Sequence, residues 1–343
     1  MSRTAVLICP GRGTYNAEEL GYLARHHADK QALFKRFDAI RAESGQEPVT
    51  TLDGAAKFSR ATHTRGDVAS PLIYASSLAD AQSLADDIEV VAVTGNSMGW
   101  YIALAAAGAV SVENGFRVVN TMGTLMQTHL IGGQLVYPVT EEDWRPDPAR
   151  RAALLDQVAE IGARDGHALA LSIDLGGMLV IAGNAAGLDA FDAAVPQIGG
   201  RFPLRLPNHA AFHTALQEPV AAQGRETLPV DMFTQPKHPM IDGRGHVWWP
   251  GSSALNPLWA YTLGAQVVEP YDFARAIQTA AEAFAPDLFI VTGPGTTLGG
   301  AVAQSLIKAR WKGMQNKADF QARQTEKPIL VSMGNPEQRA WVV

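Results

Sequence analysis

The pentapeptide Gly95-Asn96-Ser97-Met98-Gly99 has the G-x-S-x-G pattern of a tight strand-to-helix turn that carries a nucleophile. The β-branched apolar run 88–93 before it predicts a buried strand, and an Ala-rich helix is predicted after it. Such a turn lifts the Ser97 hydroxyl above the sheet, towards the free N–H groups at the start of the helix. The Met98 N–H would then stabilise an oxyanion formed on an attacked ester or thioester. The alternative is a Gly/Ser turn without chemistry, since so short a pattern also arises by chance.

A free serine hydroxyl is a poor nucleophile near neutral pH, so Ser97 needs a base, and the chain has nine histidines. His209 and His213 lie close together in the segment 207–214, which is predicted to border a cleft between two domains. Spacing alone does not choose between these two histidines. His26 and His27 have charged neighbours on a predicted N-terminal helix and are expected to be solvated.

The composition excludes several classes of protein. The chain has 343 residues, which at about 150 residues per domain allows about two domains. Its 28 Lys and Arg against 34 Asp and Glu give a net charge of −6, which argues against a broad nucleic-acid-binding face. The single cysteine, Cys9, excludes an intrachain disulfide and a cysteine-based zinc site. Without a signal-peptide pattern or an apolar run of about 18 residues, we expect a cytoplasmic protein that does not bind a membrane.

The predicted elements describe an α/β fold in two parts. An apolar strand at 4–9 ends at the loop 10–13, and further apolar strands alternate with helices, which favours a parallel sheet. Residues 130–206 instead predict the order β, α, β, β, α, β, which is the ferredoxin-like arrangement. The expected units are a large α/β-hydrolase-like domain with a parallel sheet formed by residues 1–129 and 207–307, an inserted small ferredoxin-like domain at 130–206, and a C-terminal extension at 308–343.

Taken together, the motifs resemble those of the malonyl-CoA:acyl carrier protein transacylases of fatty acid synthesis and the related acyltransferase domains of polyketide synthases. The resemblance extends over roughly residues 4–306 in the same order. The matching segments are Cys9-Pro10-Gly11-Arg12-Gly13 for F-P-G-Q-G, Gly95 to Gly99 for G-H-S-L-G, Tyr101 to Gln127 along its length, Ala211-Phe212-His213 for A-F-H, Gln266 with Pro270 for Q-x-x-x-P, and Thr292 to Leu298 for V-G-P-G-x-x-L. Several ordered motifs are far more specific than one G-x-S-x-G pattern.

The resemblance implies acyl transfer in two half-reactions. Ser97 would attack an acyl-CoA thioester with His213 as general base, and the phosphopantetheine thiol of an acyl carrier protein would then take the acyl group. The main-chain N–H groups of Arg12 and Met98 would form the oxyanion hole, and the main-chain carbonyl of Gln266 would hold the histidine. Acyl-CoA and the phosphopantetheine arm are substrates in this scheme, so no cofactor and no metal are implied.

One departure from the family concerns the acyl group. The family's malonyl-selective arginine lies in an R-G-x-x-M-Q segment, where this chain has Met122. A guanidinium pairs bidentately with a free carboxylate and a methionine cannot, so we expect a neutral pocket that favours acetyl or longer groups. The alternative is that another arginine, Arg12, supplies the charge. The residues expected to line the acyl pocket are Met122, Phe212, Asn96 and Trp100, of which Trp100 would either narrow the pocket or pack in the core.

Two further questions concern the partner and the reaction. A basic stretch near the C-terminus is expected to be a solvated helix face, and alternatively a contact for an acyl carrier protein, a generally acidic partner. Its residues are Lys308, Arg310, Lys312, Lys317, Arg323 and Lys327. If water instead of a thiol resolved the acyl-serine, the protein would be an acyl-thioester hydrolase that edits misloaded carriers. A scaffold protein without activity is the third alternative.

Overall fold

The computed structural model describes residues 2–343, which form two β-sheets surrounded by helices. The strands are β1 Arg3–Cys9, β2 Ile88–Gly95, β3 Gly133–Pro138, β4 Leu169–Asp174, β5 Met178–Gly183, β6 Leu204–Arg205, β7 Met240–Ile241, β8 Val247–Trp248, β9 Tyr271–Asp272, β10 Leu288–Val291 and β11 Leu330–Ser332. The α-helices are α1 Tyr22–His26, α2 Gln31–Glu43, α3 Val49–Asp53, α4 Arg60–His63, α5 Gly66–Ala81, α6 Gly99–Ala106, α7 Val112–His129, α8 Pro148–Gly162, α9 Ala185–Ala194, α10 Glu218–Thr227, α11 Leu255–Ala260, α12 Gln266–Val268, α13 Phe273–Phe284, α14 Thr297–Lys308, α15 Lys317–Glu326 and α16 Pro336–Arg339. A π-helical turn, Tyr261–Ala265, joins α11 to α12.

The large sheet contains six strands in the order β11-β10-β1-β2-β7-β8. Its neighbouring strands are parallel except for the pair β7 and β8. Residues 5–9 of β1 are buried on both faces, which explains why this strand is a continuous apolar run rather than an alternating one. The α/β class and the parallel arrangement agree with the sequence prediction. Strands β7 and β8 were not predicted, because two residues each are too few to show a periodicity.

The small domain has the predicted order β3, α8, β4, β5, α9, β6. Its strands pair in the order β6-β3-β5-β4, all antiparallel. It has its own apolar core, in which Leu135, Ile181 and Phe191 are fully buried. Strand β9 of the large domain adds to this sheet parallel to β4, so the small domain is tied to the large one beside the site described below.

Residues 308–343 are part of the large domain rather than a separate extension. Strand β11 pairs with β10 and forms the edge of the large sheet. The Arg339 guanidinium reaches into the core and donates to the Asp80 carboxylate. Asp80 also lies 2.8 Å from Nε2 of His27 and accepts a 2.7 Å hydrogen bond from the Gly293 N–H. The prediction that His27 is solvated is therefore wrong, because a buried carboxylate and a C-terminal arginine enclose it.

Candidate active site

Ser97 lies in the tight turn between the end of β2 and the start of α6. Its φ angle of 56° is in the left-handed region, which is strained for a residue that carries a side chain. A Cβ atom at Gly99 would collide with the carbonyl oxygen of Cys9, and one at Gly95 would collide with the Gly99 backbone. The two glycines therefore let the turn close against β1 and hold the serine above the end of the sheet.

His213 approaches Ser97 from the segment that follows β6. Its Nε2 atom lies 2.7 Å from the Ser97 Oγ. Its Nδ1–H donates to the backbone carbonyl oxygen of Gln266 at 2.7 Å. Since a carbonyl oxygen only accepts, the ring proton resides on Nδ1, and Nε2 is left to accept the serine proton. Burial lowers the pKa of His213 to about 4, so the imidazole is neutral and able to act as a base at pH 7.

His209, the other histidine that spacing left open, lies in the same cleft but has a different partner. Its Nδ1–H donates to the carbonyl oxygen of Pro207 at 3.0 Å. Burial and the positive charge of Arg12 lower its pKa. The geometry therefore puts His213, and not His209, in hydrogen-bond contact with Ser97.

The side chain of Gln266 makes two hydrogen bonds that the sequence did not predict. Its Oε1 accepts from the Tyr101 hydroxyl at 2.8 Å, and its Nε2 donates to the backbone carbonyl of Ser97 at 3.0 Å. One residue thus holds the histidine through its main chain and the serine turn through its side chain. The sequence carries no signal for this arrangement, since Tyr101 and Gln266 are 165 residues apart.

The loop after β1 packs directly on the serine turn. The Asn96 N–H donates to the Cys9 carbonyl at 2.9 Å, and a Cβ atom at Gly11 would lie 2.6 Å from the Asn96 carbonyl oxygen. Within the described part of the chain, the N–H groups of Arg12 and Met98 donate to no other protein group. Both residues line the cleft with Ser97, so the prediction that these two N–H groups bind an oxyanion is compatible with the structure.

Ser97 and His213 open into a cleft between the two domains, with a cavity of about 130 Å³. Of the residues expected to line an acyl pocket, Phe212 and Asn96 lie in its wall. Several apolar residues of the wall were not predicted, because they come from one face of the small sheet and from the inner face of α7. They include Gly123, Met126, Val136, Ile173, Leu175 and Val180.

Met122 and Trp100 do not line the cleft, so the prediction of Met122 as a pocket residue is wrong, and for Trp100 the alternative of packing in the core is the one observed. On α7 the inner face carries Gly123 and Met126, whereas the Met122 sulfur packs against Gly224 of α10. The Trp100 indole is buried and donates to the Thr262 hydroxyl at 3.0 Å. Both side chains therefore belong to the core. On α7, Met122 and Gly123 point about 100° apart, so Gly123 faces the cleft and Met122 does not.

The basic stretch at 308–327 is not one solvated helix face. Lys308 ends α14, and Arg310 and Lys312 lie in the turn that follows, where Lys312 packs over the Trp311 ring. Lys317 and Arg323 belong to α15, and Lys327 follows its end. The Lys308 ammonium lies 2.9 Å from the carboxylate of Asp174 in the small domain. Lys308 therefore links the two domains.

Within residues 2–343, no three His, Cys, Asp or Glu side chains are grouped in a way that would bind a metal ion. None of the helices described there combines the length and the apolar character needed to cross a membrane.

Three kinds of comparison relate the chain to known proteins. No protein-family model matches it. A segment of 230 residues, 66% of the chain, is 27% identical to the polyketide synthase GfsB of Streptomyces halstedii and covers 4% of that protein. A segment of 209 residues, 61% of the chain, is 25% identical to the malonyl CoA-acyl carrier protein transacylase of Bacillus subtilis and covers 62% of it. The chain thus matches less than two thirds of the length of these curated relatives.

The solved structures agree over almost the whole chain. An acyl-carrier-protein S-malonyltransferase from Burkholderia pseudomallei superimposes with a TM-score of 0.76 at 18% identity, covering 99% of each chain. A malonyl-CoA:acyl carrier protein transacylase from Xanthomonas oryzae gives 0.75 at 19% identity, covering 99% of this chain and 98% of that one. A malonyl-transacylase in complex with a type II polyketide synthase acyl carrier protein gives 0.72 at 18%, covering 95% of this chain and 100% of the other. The resemblance to transacylases and polyketide synthase acyltransferases is therefore confirmed, and the structural likeness establishes the fold.

Proposed function

We propose that this protein is an acyltransferase that moves an acyl group from CoA to an acyl carrier protein through an ester on Ser97. The observation that carries the proposal is the 2.7 Å contact between the Ser97 hydroxyl and Nε2 of a neutral His213, whose other nitrogen is fixed by Gln266. The choice of CoA and carrier protein as substrates is supported by the named activities of the relatives.

In the first half-reaction, the Ser97 oxygen attacks the thioester carbonyl carbon while His213 takes the hydroxyl proton. The N–H groups of Arg12 and Met98 stabilise the oxyanion of the tetrahedral intermediate. The carbon–sulfur bond then breaks, the proton passes from His213 to the leaving sulfur, and CoA departs as a thiol. The acyl group remains as an ester on Ser97.

The second half-reaction runs the same chemistry in reverse. The phosphopantetheine thiol of the carrier gives its proton to His213, and its sulfur attacks the ester carbonyl. The carbon–oxygen bond breaks and Ser97 recovers its proton from His213. A base that accepts and returns one proton in each half-reaction is sufficient, so an acidic third residue is not needed.

The identity of the acyl group is a separate question. The expectation of a non-carboxylated group depended on Met122 as the residue that replaces a carboxylate-binding arginine in the pocket. Because Met122 packs against Gly224 outside the cleft, that reason no longer holds. The charge of the side chains that line the cleft is the remaining guide to the acyl group.

Carrier-protein docking requires a local basic surface, since the chain has a net charge of −6. Arg310 and Lys312 are exposed between α14 and α15 and are suited to contact an acidic partner. Charge reversal at these two positions is expected to raise KM for the carrier protein and leave KM for acyl-CoA unchanged. Lys308 is unsuitable for this test because its pairing with Asp174 links the domains. An unchanged carrier KM would exclude this surface as the contact.

Product analysis separates transfer from the hydrolytic alternative, which uses the same acyl-serine. The protein is incubated with acetyl-, butyryl- or malonyl-CoA, with and without the holo form of an acyl carrier protein, and products are identified by mass. A mass gain of one acyl group on the carrier supports transfer. Free acid as the main product in the presence of carrier would instead identify a hydrolase.

A further inference from the structure

The side chain of Arg12, which the sequence leaves open as an alternative source of positive charge, lies in the wall of the cleft that contains Ser97. Its Nη2 donates to the carbonyl oxygens of Thr64 and Asn208, at 2.7 and 2.8 Å. Asn208 in turn donates from its side chain to the Thr64 hydroxyl at 2.6 Å. The guanidinium is therefore held in one position by carbonyl groups from two segments that are far apart in the chain.

No protein carboxylate neutralises this guanidinium within the described part of the chain. Asp67 is the acidic residue that acts on it from a distance, and Arg65 already binds that carboxylate with two hydrogen bonds of 3.0 Å. Burial lowers the pKa of Arg12 to about 10, which leaves it protonated at neutral pH. A buried positive charge without an anionic partner destabilises the folded protein. Such a charge in the cleft of the nucleophile is stabilised when a ligand supplies the anion.

The hydrogen-bonding groups of Arg12 are also incompletely used. Both bonds to protein carbonyls come from Nη2. The Nε–H is buried and has no partner among residues 2–343. A buried donor without a partner is destabilising and rare in proteins, so its presence in the wall of a substrate cleft points to an acceptor on the substrate.

The remaining wall of the cleft offers no competing charge. Apart from Arg12 it contains no Lys, Arg, Asp or Glu, and its two histidines have lowered pKa values. Its other side chains are mostly apolar, including Phe212, whose ring lies 5.5 Å from the Arg12 guanidinium carbon. The cavity of about 130 Å³ suits a short acyl group. A short acyl chain that ends in an anion would match both the size and the single positive charge.

We propose that Arg12 binds the free carboxylate of the acyl group, so that the protein selects short dicarboxylic acyl groups of the malonyl type over neutral acyl groups of the same length. This inference rests on the proposed acyl transfer through Ser97. It assigns the selectivity to the loop after β1, because α7 carries no arginine facing the cleft. The carboxylate would accept hydrogen bonds from the free donors of a guanidinium that the protein already holds in position.

The test compares the rates of acyl-enzyme formation with malonyl-CoA and with butyryl-CoA, a neutral group of similar length. Rates are measured by acid quench and intact-protein mass spectrometry for wild type, Arg12→Gln, Arg12→Lys and Met122→Leu. Wild type is expected to prefer malonyl, and Arg12→Gln to lower the malonyl-to-butyryl ratio by about ten- to a hundredfold. Arg12→Lys keeps the charge and is expected to recover part of the preference. Met122→Leu is expected to leave the ratio unchanged.

The ratio within one protein does not depend on the folded fraction, so it stays informative even if loss of the Thr64 and Asn208 bonds destabilises a variant. A wild-type preference for butyryl, or an unchanged ratio in Arg12→Gln, would overturn the assignment while leaving the acyltransferase proposal intact. Absence of an adduct with every acyl-CoA would overturn the acyltransferase proposal and this inference together.

Discussion

The Nδ1–H of His213 donates a 2.7 Å hydrogen bond to the backbone carbonyl oxygen of Gln266, where an acidic side chain is absent. A neutral carbonyl fixes the tautomer and the ring orientation but provides little stabilisation for an imidazolium. Burial dominates instead and lowers the pKa of His213 to about 4. The histidine is therefore a base that is neutral throughout the physiological pH range.

The first prediction concerns the pH dependence of acyl-enzyme formation. Since the pKa of His213 is lowered, its base form persists down to about pH 4 and is lost as the pH falls further. The rate with butyryl-CoA, whose acyl group does not titrate, should be constant between about pH 7 and 5. Below about pH 4 the rate should decrease tenfold for each unit by which the pH is lowered. An acid limb centred near pH 6.5, the ordinary pKa of histidine, would contradict a His213 whose pKa is lowered by burial.

The second prediction separates the two roles of Gln266. Gln266→Ala keeps the main-chain carbonyl that holds His213 but leaves the Tyr101 hydroxyl and the Ser97 carbonyl without their partner. We expect a loss of about 1–3 kcal/mol in the free energy of unfolding and a lower acylation rate, with the acid limb of the pH profile unmoved. Tyr101→Phe removes one of these bonds and should have the smaller effect. A shift of the acid limb in Gln266→Ala would show that the side chain of Gln266 also affects the pKa of His213, and would contradict the two separate roles.

The third prediction concerns the closeness of the serine turn to β1. A Cβ atom at Gly99 would overlap the Cys9 carbonyl, so Gly99→Ala should move the turn, lower the melting temperature and abolish acylation. Gly300→Ala is the matched control, because a Cβ atom at this position of α14 meets nothing within 4 Å. Since alanine is the better helix former by about 1 kcal/mol, the control should be as stable as wild type or more so. Equal melting temperatures and acylation rates for Gly99→Ala and Gly300→Ala would show that the serine turn accommodates a Cβ atom, and would contradict this prediction.

Local features of the site were predictable from the sequence, and side-chain directions were not. The turn around Ser97 follows from one continuous segment of strand, glycines and helix. The pairing of Ser97 with His213 needed the family resemblance, since spacing left His209 equally open. Met122 was misplaced because a motif identifies a turn of a helix but not which neighbouring residue faces the cleft.

The same limit applies to the architecture. The elements of the small domain were recognisable because each has a clear periodicity and a turn after it. The sequence predicts a C-terminal extension at 308–343, because the pairing of β11 with β10 and the contact of Arg339 with Asp80 join segments far apart in the chain. Such long-range contacts leave no trace in local composition.

The central claim is that the Ser97 hydroxyl, with its proton taken by His213, receives an acyl group from a thioester. Its most direct test is intact-protein mass spectrometry after mixing with acetyl-, butyryl- and malonyl-CoA, followed by peptide mapping of any adduct. We expect one added acyl group per wild-type chain, located on Ser97, strongly slowed in His213→Ala and absent in Ser97→Ala. An adduct that persists in Ser97→Ala, or none in wild type with any of the three thioesters, would contradict it.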